Sequence, residues 1–307
     1  MKLRHLITLQ DLDGAEIPRL FRTTAQLKHQ KGTHTQRPLT GKTLGLLFQK
    51  PSIRTRVSFE VGMAQLGGQS LYIGPVELQE GKREAPKDMA RVLSRYLDIM
   101  VARTFQHSEV EELAQFGSIP VINGLSDESH PCQALADLFT IQEKLGRLRG
   151  VQVTYVGDGN NVCHSLLEGC ALVGTHLTVA TPSGYEPDRK IVQWAQRQAK
   201  KTGARILCLK DAQKAARGAD IIYTDVWASM GQEHERQQRK GIFHPFQINR
   251  ILMQKATAKA LFMHCLPAHR GEEVTDEVMD SKQSIVYDQA ENRLHVQKAI
   301  LLMLLHR

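Results

Sequence analysis

The sequence lacks paired cysteines and long hydrophobic runs, and each absence excludes a class of protein. Its 307 residues include five cysteines, none in a C-x-x-C pair, so we expect neither a disulfide scaffold nor a zinc knuckle. The longest clear apolar run, Ala299–Leu305, is far short of the ~18 residues of a membrane-spanning helix. Polar residues interrupt the opening MKLRHLITLQDLDG too early for a signal peptide. We therefore expect a cytoplasmic protein without a membrane partner.

Aromatic residues are also scarce, at 6% of the chain, and none alternate with arginines as a nucleic-acid stacking surface requires. The formal net charge is +8, but the basic residues are spread along the chain except for one short group, Arg236–Lys240. Proteins that bind nucleic acids usually concentrate such residues. A nucleic-acid binder stays open as an alternative, although an anionic substrate is a sufficient use for the charge.

Short apolar runs alternate with segments of helical periodicity. The predicted strands are Thr43–Phe48, Ser70–Ile73, Asp98–Ala102, Ile119–Ile122, Val151–Val156, His176–Ala180, Arg205–Leu209, Asp220–Tyr223, Ala260–His264 and Ser284–Tyr287. The predicted helices include Arg56–Leu66, Pro86–Arg95, Cys132–Leu145, Asn161–Val173 and Asp188–Lys201. This alternation predicts an α/β protein with two doubly wound domains, each with a mostly parallel sheet flanked by helices.

The pattern restarts after Gly150, which predicts domains over residues 1–145 and 146–290 joined by the helix Cys132–Leu145. The segment 291–307 contains apolar residues at helical spacing, and we expect it to pack back on the first domain. Ligands of such sheets bind beyond the carboxyl ends of the strands. The residues that follow each strand are therefore the candidates for function.

A dinucleotide-binding motif is incomplete in this chain. In VGDGNNVCHS, Gly157 and Gly159 match G-x-G-x-x-G, but Val162 replaces the third glycine. The next strand ends in Thr181 instead of an acidic residue that could bind a ribose. A nicotinamide-dependent oxidoreductase is therefore disfavoured, although the turn could still bring the asparagines at 160–161 to a ligand.

The stretch 48-FQKPSIRTRVSFE-60 predicts an anion site at the start of a helix. Pro51 cannot continue the preceding strand, and Ser52 occupies the position of a helix N-cap. The helix N-terminus offers backbone N–H groups, while Thr55 adds a hydroxyl and Arg54 a guanidinium. These groups favour a bound phosphate. A solvated turn is the alternative interpretation.

Three further stretches follow predicted strands or open a helix. In 130-HPCQALAD-137, His130 and Gln133 lie one helical turn apart and can both donate and accept hydrogen bonds. The motif 225-DVWASMGQE-233 combines Asp225 with a loop that could cover an ammonium group, and 264-HCLPAHRGEE-273 places Cys265 after a strand. A structural histidine, an ordinary surface loop and a positioning thiol are the respective alternatives.

Together these stretches resemble the transcarbamoylase family. KPSIRTRVSFE resembles its S-x-R-T-R carbamoyl-phosphate signature, HPCQALAD resembles its H-P-x-Q motif, and DVWASMG and HCLPAHRGEEV resemble its ornithine branch. The motifs occur in family order, and the resemblance covers the chain from about Leu6 to His306. It implies transfer of a carbamoyl group from carbamoyl phosphate to the side-chain amine of L-ornithine, giving L-citrulline and phosphate without a covalent intermediate, cofactor or metal.

The resemblance also assigns the domains and the site residues. It implies a carbamoyl-phosphate domain over 1–145 and an ornithine domain over 146–290, in a homotrimer whose sites lie at or near subunit interfaces. The implied catalytic residues are Arg54, Arg103, His130 and Cys265. The implied carbamoyl-phosphate residues are Ser52, Ile53 through its backbone N–H, Arg54, Thr55, Gln79 from a neighbouring subunit, Arg103, His130, Gln133 and Arg293. The implied ornithine residues are Asn161, Asp225, Ser229, Met230, Cys265 and Leu266. A transcarbamoylase for another acceptor, such as putrescine or an acylated ornithine, stays open.

Overall fold

The computed structural model describes residues 5–30, 37–80, 85–228 and 233–305. Its helices are α1 (Glu16–His29), α2 (Ile53–Gln65), α3 (Pro75–Glu80), α4 (Pro86–Leu93), α5 (His107–Phe116), α6 (Pro131–Leu145), α7 (Asn161–Val173), α8 (Arg189–Thr202), α9 (Ala212–Ala216), α10 (Arg236–Phe243), α11 (Arg250–Met253), α12 (Asp276–Met279) and α13 (Val286–Leu305). Its strands are β1 (Thr43–Phe48), β2 (Gln69–Ile73), β3 (Ile99–Arg103), β4 (Val121–Leu125), β5 (Gln152–Val156), β6 (His176–Ala180), β7 (Ile206–Leu209), β8 (Ile221–Thr224) and β9 (Leu261–His264). Among these described helices, none combines the length and the apolar character that a membrane span needs.

The chain divides into two compact units. Unit 1 contains Met1–Phe139 and Glu291–Arg307, and unit 2 contains Thr140–Ala290. Each unit has one parallel sheet with helices in the connections between its strands. The predicted α/β class with two doubly wound sheets is therefore confirmed.

The sheet of unit 1 has the strand order β2-β1-β3-β4. The chain runs from β1 to β2 on one side and then crosses to β3 on the other, so the topological switch point lies between β1 and β3. Phe48 at the end of β1 pairs with Arg103 at the end of β3. Ligands of open α/β sheets bind at such a point. The residues that follow Phe48, together with Arg103, are therefore the candidates for ligand binding in unit 1.

The sheet of unit 2 has the order β7-β6-β5-β8-β9, with its switch point between β5 and β8. Tyr155 of β5 pairs with Tyr223 of β8, and Thr224 pairs with His264 of β9. The turn after β5, Asp225 after β8 and Cys265 after β9 consequently lie together at the carboxyl ends of adjacent strands. The same topological rule thus selects a second group of residues.

Local sequence explains where the helices next to these edges begin. The Ser52 hydroxyl accepts a hydrogen bond from Thr55 N at the start of α2. The Asn160 amide oxygen accepts from Val162 N and Cys163 N at the start of α7. Such side chains satisfy backbone N–H groups that have no partner within the helix. Buried aliphatic residues of the strands, such as Leu46 and Val153, fill the core beneath each site.

One predicted strand, Ser284–Tyr287, is wrong. Ser284 makes only an isolated bridge to Phe262, and α13 already begins at Val286, before the predicted start of the last helix at residue 291. The buried residues from Val286 through Gln289 to Val296 recur at helical spacing. The apolar pair at 285–286 is therefore the beginning of the helical face and not a short strand.

Candidate active site

The N-terminus of α2 forms the first part of the unit 1 site. Ser52 caps the helix, Thr55 is buried, and Arg54 is exposed. The first-turn N–H groups and the helix dipole concentrate positive charge at this end. The sequence-based prediction of a helix start at this position is confirmed, and the arrangement suits an anion.

Arg103 completes the edge of the sheet beside this helix. Its side chain is 4% exposed. Burial, followed by repulsion from Arg293 and Arg54, lowers the pKa of Arg103 to about 10. Its Nε atom has no hydrogen-bond partner among the described residues. A buried donor of this kind requires an acceptor, which a bound anion would supply.

His130 is held in its neutral form at the start of α6. Burial, and then repulsion from three arginines, lowers the pKa of His130 well below its ordinary value. A neutral imidazole can donate a hydrogen bond from one ring nitrogen and accept with the other. His130 is therefore suited to a polar contact with a neutral group, such as a carbonyl or an amide.

Arg293 reaches this group from α13. Its Nη1 donates to Gln133 Oε1 and its Nη2 donates to Thr55 Oγ1 over 3.3 Å. Gln133 in turn donates from Nε2 to Asp137 Oδ1 at 2.8 Å. The structure thus brings Arg54, Arg103 and Arg293 together in unit 1. Three guanidinium groups that repel one another favour a ligand with more than one negative charge.

The unit 2 site begins in the turn after β5. Gly159 packs so closely there that a Cβ atom would lie 2.2 Å from Pro187 N, so only glycine fits. The next residue, Asn160, caps α7 with its oxygen and donates from Nδ2 to Asp225 Oδ2 at 2.8 Å. Asn161, the first residue of α7, is buried beside it. The turn thereby joins the start of α7 to the end of β8.

Asp225 is the centre of this second group. Its Oδ1 accepts from Val226 N and from the Cys265 thiol, both at 2.8 Å, while its Oδ2 accepts from Asn160. The carboxylate is thus fixed by three donors at the edge of the sheet. A carboxylate in this position can also accept from an ammonium group of a ligand.

The turn that carries Cys265 and Leu266 is supported by a buried pair. His264 Nδ1 accepts from Leu266 N at 2.8 Å, so the ring proton lies on Nε2 and faces Glu273 Oε1 at 3.3 Å. Leu266 has a φ of 60°, and the Leu266–Pro267 peptide is cis. The histidine and its carboxylate therefore set the direction in which the backbone leaves β9.

Two groups of side chains within the described residues have possible metal ligands within 4.8 Å of one another: Asp225, His264 and Cys265, and His269, Glu272 and Glu273. In the first group, both ring nitrogens of His264 already have partners, and the thiol donates to the carboxylate. In the second group, Glu272 is paired with Arg236 at 2.8 Å. Glu273 Oε1 faces His264 Nε2 and accepts from His269 N.

Three predicted site residues have side chains that the structure does not describe. Ser229 and Met230 lie outside the described residues. Gln79 belongs to α3, but its side chain is not described. The structure also contains a residue that the sequence analysis missed, since Arg239 was interpreted only as part of a basic group. It is buried and forms a 2.8 Å ion pair with Asp158. Its i, i+4 spacing from Glu235 was the available signal.

The chain is a two-unit α/β protein in which the arginines of unit 1 suit a polyanion and the Asp225 carboxylate of unit 2 suits an ammonium group. The family description "Aspartate/ornithine carbamoyltransferase, carbamoyl-P binding domain" matches residues 4–143. The description "Aspartate/ornithine carbamoyltransferase, Asp/Orn binding domain" matches residues 149–304. The chain belongs to the aspartate/ornithine carbamoyltransferase family, and the resemblance of its motifs is thereby confirmed.

Individual relatives match along almost the whole chain. An ornithine carbamoyltransferase of Pyrococcus horikoshii is 56% identical over 306 residues, covering 99% of this chain and 96% of the relative. An anabolic ornithine carbamoyltransferase of Pyrococcus furiosus is 55% identical, covering 98% and 96%. Among solved structures, the ornithine carbamoyltransferase from Pyrococcus furiosus has a TM-score of 0.96 at 54% identity, covering 99% of this chain and 97% of that one.

Proposed function

We propose that the chain transfers the carbamoyl group of carbamoyl phosphate to the side-chain amine of L-ornithine, giving L-citrulline and phosphate. The observation that carries the proposal is the group of Arg54, Arg103 and Arg293 around a neutral His130 at the switch point of unit 1. The full-length relatives named for this activity support it. Family membership also disfavours the oxidoreductase and nucleic-acid alternatives.

Carbamoyl phosphate binds in unit 1 through its phosphate group. The backbone N–H group of Ile53, the hydroxyls of Ser52 and Thr55 and the Arg54 guanidinium bind the phosphate oxygens at the positive end of α2. Arg103 and Arg293 supply the remaining positive charge. Two or more guanidinium groups are needed because the phosphate carries about two negative charges at neutral pH.

The carbamoyl group lies against His130, Gln133 and Arg103. The neutral imidazole and the guanidinium donate to its carbonyl oxygen, where negative charge develops during the reaction. Gln133 is fixed by Asp137 and accepts from Arg293, so its amide has a defined direction. These donors are oriented before the substrate arrives, and their alignment therefore adds little reorganisation cost to the reaction.

Ornithine binds in unit 2. Asp225 accepts from an ammonium group of the amino acid, and Asn161 at the start of α7 contacts its polar end. Cys265 and Leu266 lie beside the side-chain amine, with the thiol direction set by Asp225. Ser229 and Met230 complete the binding of the free amino acid by resemblance to the family. Cys265 orients the amine and forms no covalent intermediate.

The chemical step balances without a cofactor. The ornithine ammonium group first loses a proton, and the nitrogen lone pair attacks the carbamoyl carbon. The bond between that carbon and the phosphate oxygen then breaks, and the electron pair leaves with phosphate, stabilised by Arg54, Arg103 and the α2 N-terminus. The nitrogen loses a second proton, and the phosphate gains one, so one proton is released overall.

The chain functions as a homotrimer in which Gln79 of a neighbouring subunit reaches carbamoyl phosphate. Supporting this, α2 exposes Ile53, Val57 and Val61 to 83%, 48% and 39%, and α3 exposes Val76 to 66%. Exposed apolar residues that recur along one helix, as on α2, are typical of an interaction surface. The enzyme is cytoplasmic, in agreement with its five free cysteine thiols.

The proposed function is tested by measuring citrulline formation from carbamoyl phosphate with ornithine, alongside the equivalent assays with aspartate, putrescine and N-acetylornithine. We expect product with ornithine at a rate well above that of each other amine. Product with putrescine or N-acetylornithine instead would retain the phosphate half of the proposal and reject the acceptor. Absence of product with every amine would reject carbamoyl transfer.

A further inference from the structure

Arg293 has a third partner, to which the family resemblance assigns no role in the site. Besides Gln133 and Thr55, its guanidinium faces the side chain of Gln297, which lies one turn further along α13. Gln297 is fully buried, as are Gln133 and Thr55. A buried amide at such a place is stable only if its hydrogen bonds are made, because an unpaired buried donor or acceptor is strongly unfavourable.

Only one orientation of the Gln297 amide satisfies its neighbours. With its oxygen towards Arg293, the amide accepts from Nη2 at 3.0 Å and from Nε at 3.2 Å, and its nitrogen donates to Ser58 Oγ. The reverse orientation would set the amide donors against those of the guanidinium. The guanidinium is consequently held along two edges, by Gln297 on one and by Gln133 and Thr55 on the other.

Ser58 extends this contact to the first turn of α2. Its hydroxyl donates to the carbonyl oxygen of Arg54 at 2.6 Å, while it accepts from Gln297. The hydrogen bonds therefore run in one direction, from Arg293 through Gln297 and Ser58 to the backbone of Arg54. A chain of bonds with one polarity is strengthened cooperatively in a buried environment. It connects two of the three arginines of the unit 1 site.

We propose that Gln297 is a positioning residue of the carbamoyl-phosphate site, which fixes the guanidinium of Arg293 relative to the α2 N-terminus. The inference rests on the proposed function, since it assumes that this site binds carbamoyl phosphate. Without Gln297, Arg293 keeps its charge but loses the acceptor that aligns two of its N–H groups. The site then binds the phosphate with a guanidinium that is less well oriented.

The test uses the full-length variant Gln297→Met, which keeps the length of the side chain and removes both hydrogen bonds. The Kd of carbamoyl phosphate is measured by calorimetry without ornithine, and KM is then measured for each substrate. We expect about a tenfold weaker Kd, as for loss of a hydrogen bond to a charged group. The KM for ornithine should stay within about twofold, because the hydrogen-bond partners of Gln297, Arg293 and Ser58, both belong to unit 1.

The matched control is Gln289→Met on the same helix. Gln289 accepts from His264 N and donates to Tyr223 OH, so it serves unit 2. This variant should leave the Kd of carbamoyl phosphate unchanged. If Gln297→Met fails to fold, Ser58→Ala is used instead. It breaks the same series of hydrogen bonds at a half-buried residue and should weaken the Kd of carbamoyl phosphate about threefold.

The outcomes separate the inference from the proposed function. If the wild-type protein does not bind carbamoyl phosphate, the proposed function fails. If it binds but Gln297→Met binds equally well, the inference is overturned. If Gln297→Met raises the KM of both substrates equally and lowers the Tm, Gln297 serves only the fold, and the inference is also overturned. If Gln297→Met does not fold, an unchanged Kd of carbamoyl phosphate in Ser58→Ala would also overturn the inference.

Discussion

The Cys265 thiol donates a hydrogen bond to Asp225 Oδ1 at 2.8 Å. The two residues are 40 positions apart in the chain, but each directly follows one of two adjacent parallel strands. The carboxylate therefore sets the direction of the thiol, and Asn160 holds its other oxygen. The pair forms the amino-acid half of the proposed site from the ends of β8 and β9.

Asp225→Asn should raise the KM for ornithine by about a hundredfold, because the variant cannot form an ion pair with the substrate ammonium group. The Kd of carbamoyl phosphate should not change, since its residues lie in unit 1. Steady-state kinetics with each substrate varied measures both effects. Asp276→Asn, at an exposed ion pair with Arg270, is the matched control and should retain wild-type kinetics. An unchanged KM in Asp225→Asn would contradict the assignment.

Arg54→Ala should lower kcat/KM for carbamoyl phosphate by several orders of magnitude, because the leaving phosphate loses a guanidinium that stabilises its charge. The Tm should stay within a few degrees, since Arg54 is exposed. Arg56→Ala offers the comparison on the same helix, because Arg56 pairs with Glu60 and stacks on Tyr72. Near-native activity of Arg54→Ala would contradict the assignment of the phosphate site to this helix terminus.

The sequence was informative where a capping or turn residue marks the end of a strand or the beginning of a helix. Ser52 and Asn160 act as N-caps as their types predict, and the proposed anion site was inferred from such a cap beside an arginine. Val57 and Val61 lie four residues apart in α2, a spacing that is typical of one helical face. Both residues are partly exposed, and the buried face of α2 includes Thr55 and Phe59 instead. An apolar stripe predicts a helix but does not say which surface covers it.

Contacts between distant positions could not be predicted from one sequence. Asp158 and Arg239 are 81 residues apart, and neither has a motif that points to the other. Gln297 resembles any polar residue of an amphipathic helix until Ser58 and Arg293 are placed beside it. These partners are brought together by tertiary packing. Tertiary packing also explains why the apolar pair at 285–286, predicted as part of a strand, lies at the start of α13.

Arg239→Met should raise the KM for ornithine at least tenfold with little effect on carbamoyl phosphate. The Arg239 Nη1 atom donates both to Asp158 Oδ2 at 2.8 Å and to Trp227 O at 2.9 Å. Arg239 thereby connects Asp158, which lies in the turn before Asn160, with Trp227, which lies in the segment after Asp225. Loss of this link should displace the two segments that hold the Asp225 carboxylate.

The control for this effect is a double variant, Arg239→Met with Asp158→Asn. The single variant leaves the Asp158 carboxyl buried without its partner, which costs stability in addition to position. The double variant should recover much of the lost Tm but not the KM for ornithine. Recovery of both would show that Arg239 acts only through stability and would contradict a positioning role.

Asp158 should also give the protein a distinct pH dependence. Burial raises the pKa of Asp158 to about 6 from its ordinary 3.8, although Arg239 opposes the rise. The folded state therefore holds this proton more tightly than the unfolded state, and the contribution to stability is lost as the pH rises through about 6. From pH 4 to pH 7, the free energy of unfolding of the wild type should fall by about 2 kcal/mol relative to Asp158→Asn.

Denaturant unfolding of both proteins across this pH range measures the difference. Asp211→Asn gives a control of opposite sign. The hydrogen bond from Lys214 N lowers the pKa of Asp211, so its contribution is lost as the pH falls instead. Parallel stability curves for the wild type and Asp158→Asn would show that the carboxyl does not titrate in this range.

Val57→Glu should dissociate the proposed trimer. Val57 is 48% exposed on α2 between Ile53 and Val61, in the apolar stripe of the single chain. A carboxylate buried in a subunit interface would be unpaired and therefore strongly unfavourable. Light scattering after size-exclusion chromatography should give a trimer mass for the wild type and a smaller mass for the variant. Ile251→Glu, at a 62% exposed position in unit 2, should leave the mass unchanged. A wild-type monomer would reject the trimer, and an intact trimer in Val57→Glu would place the interface elsewhere.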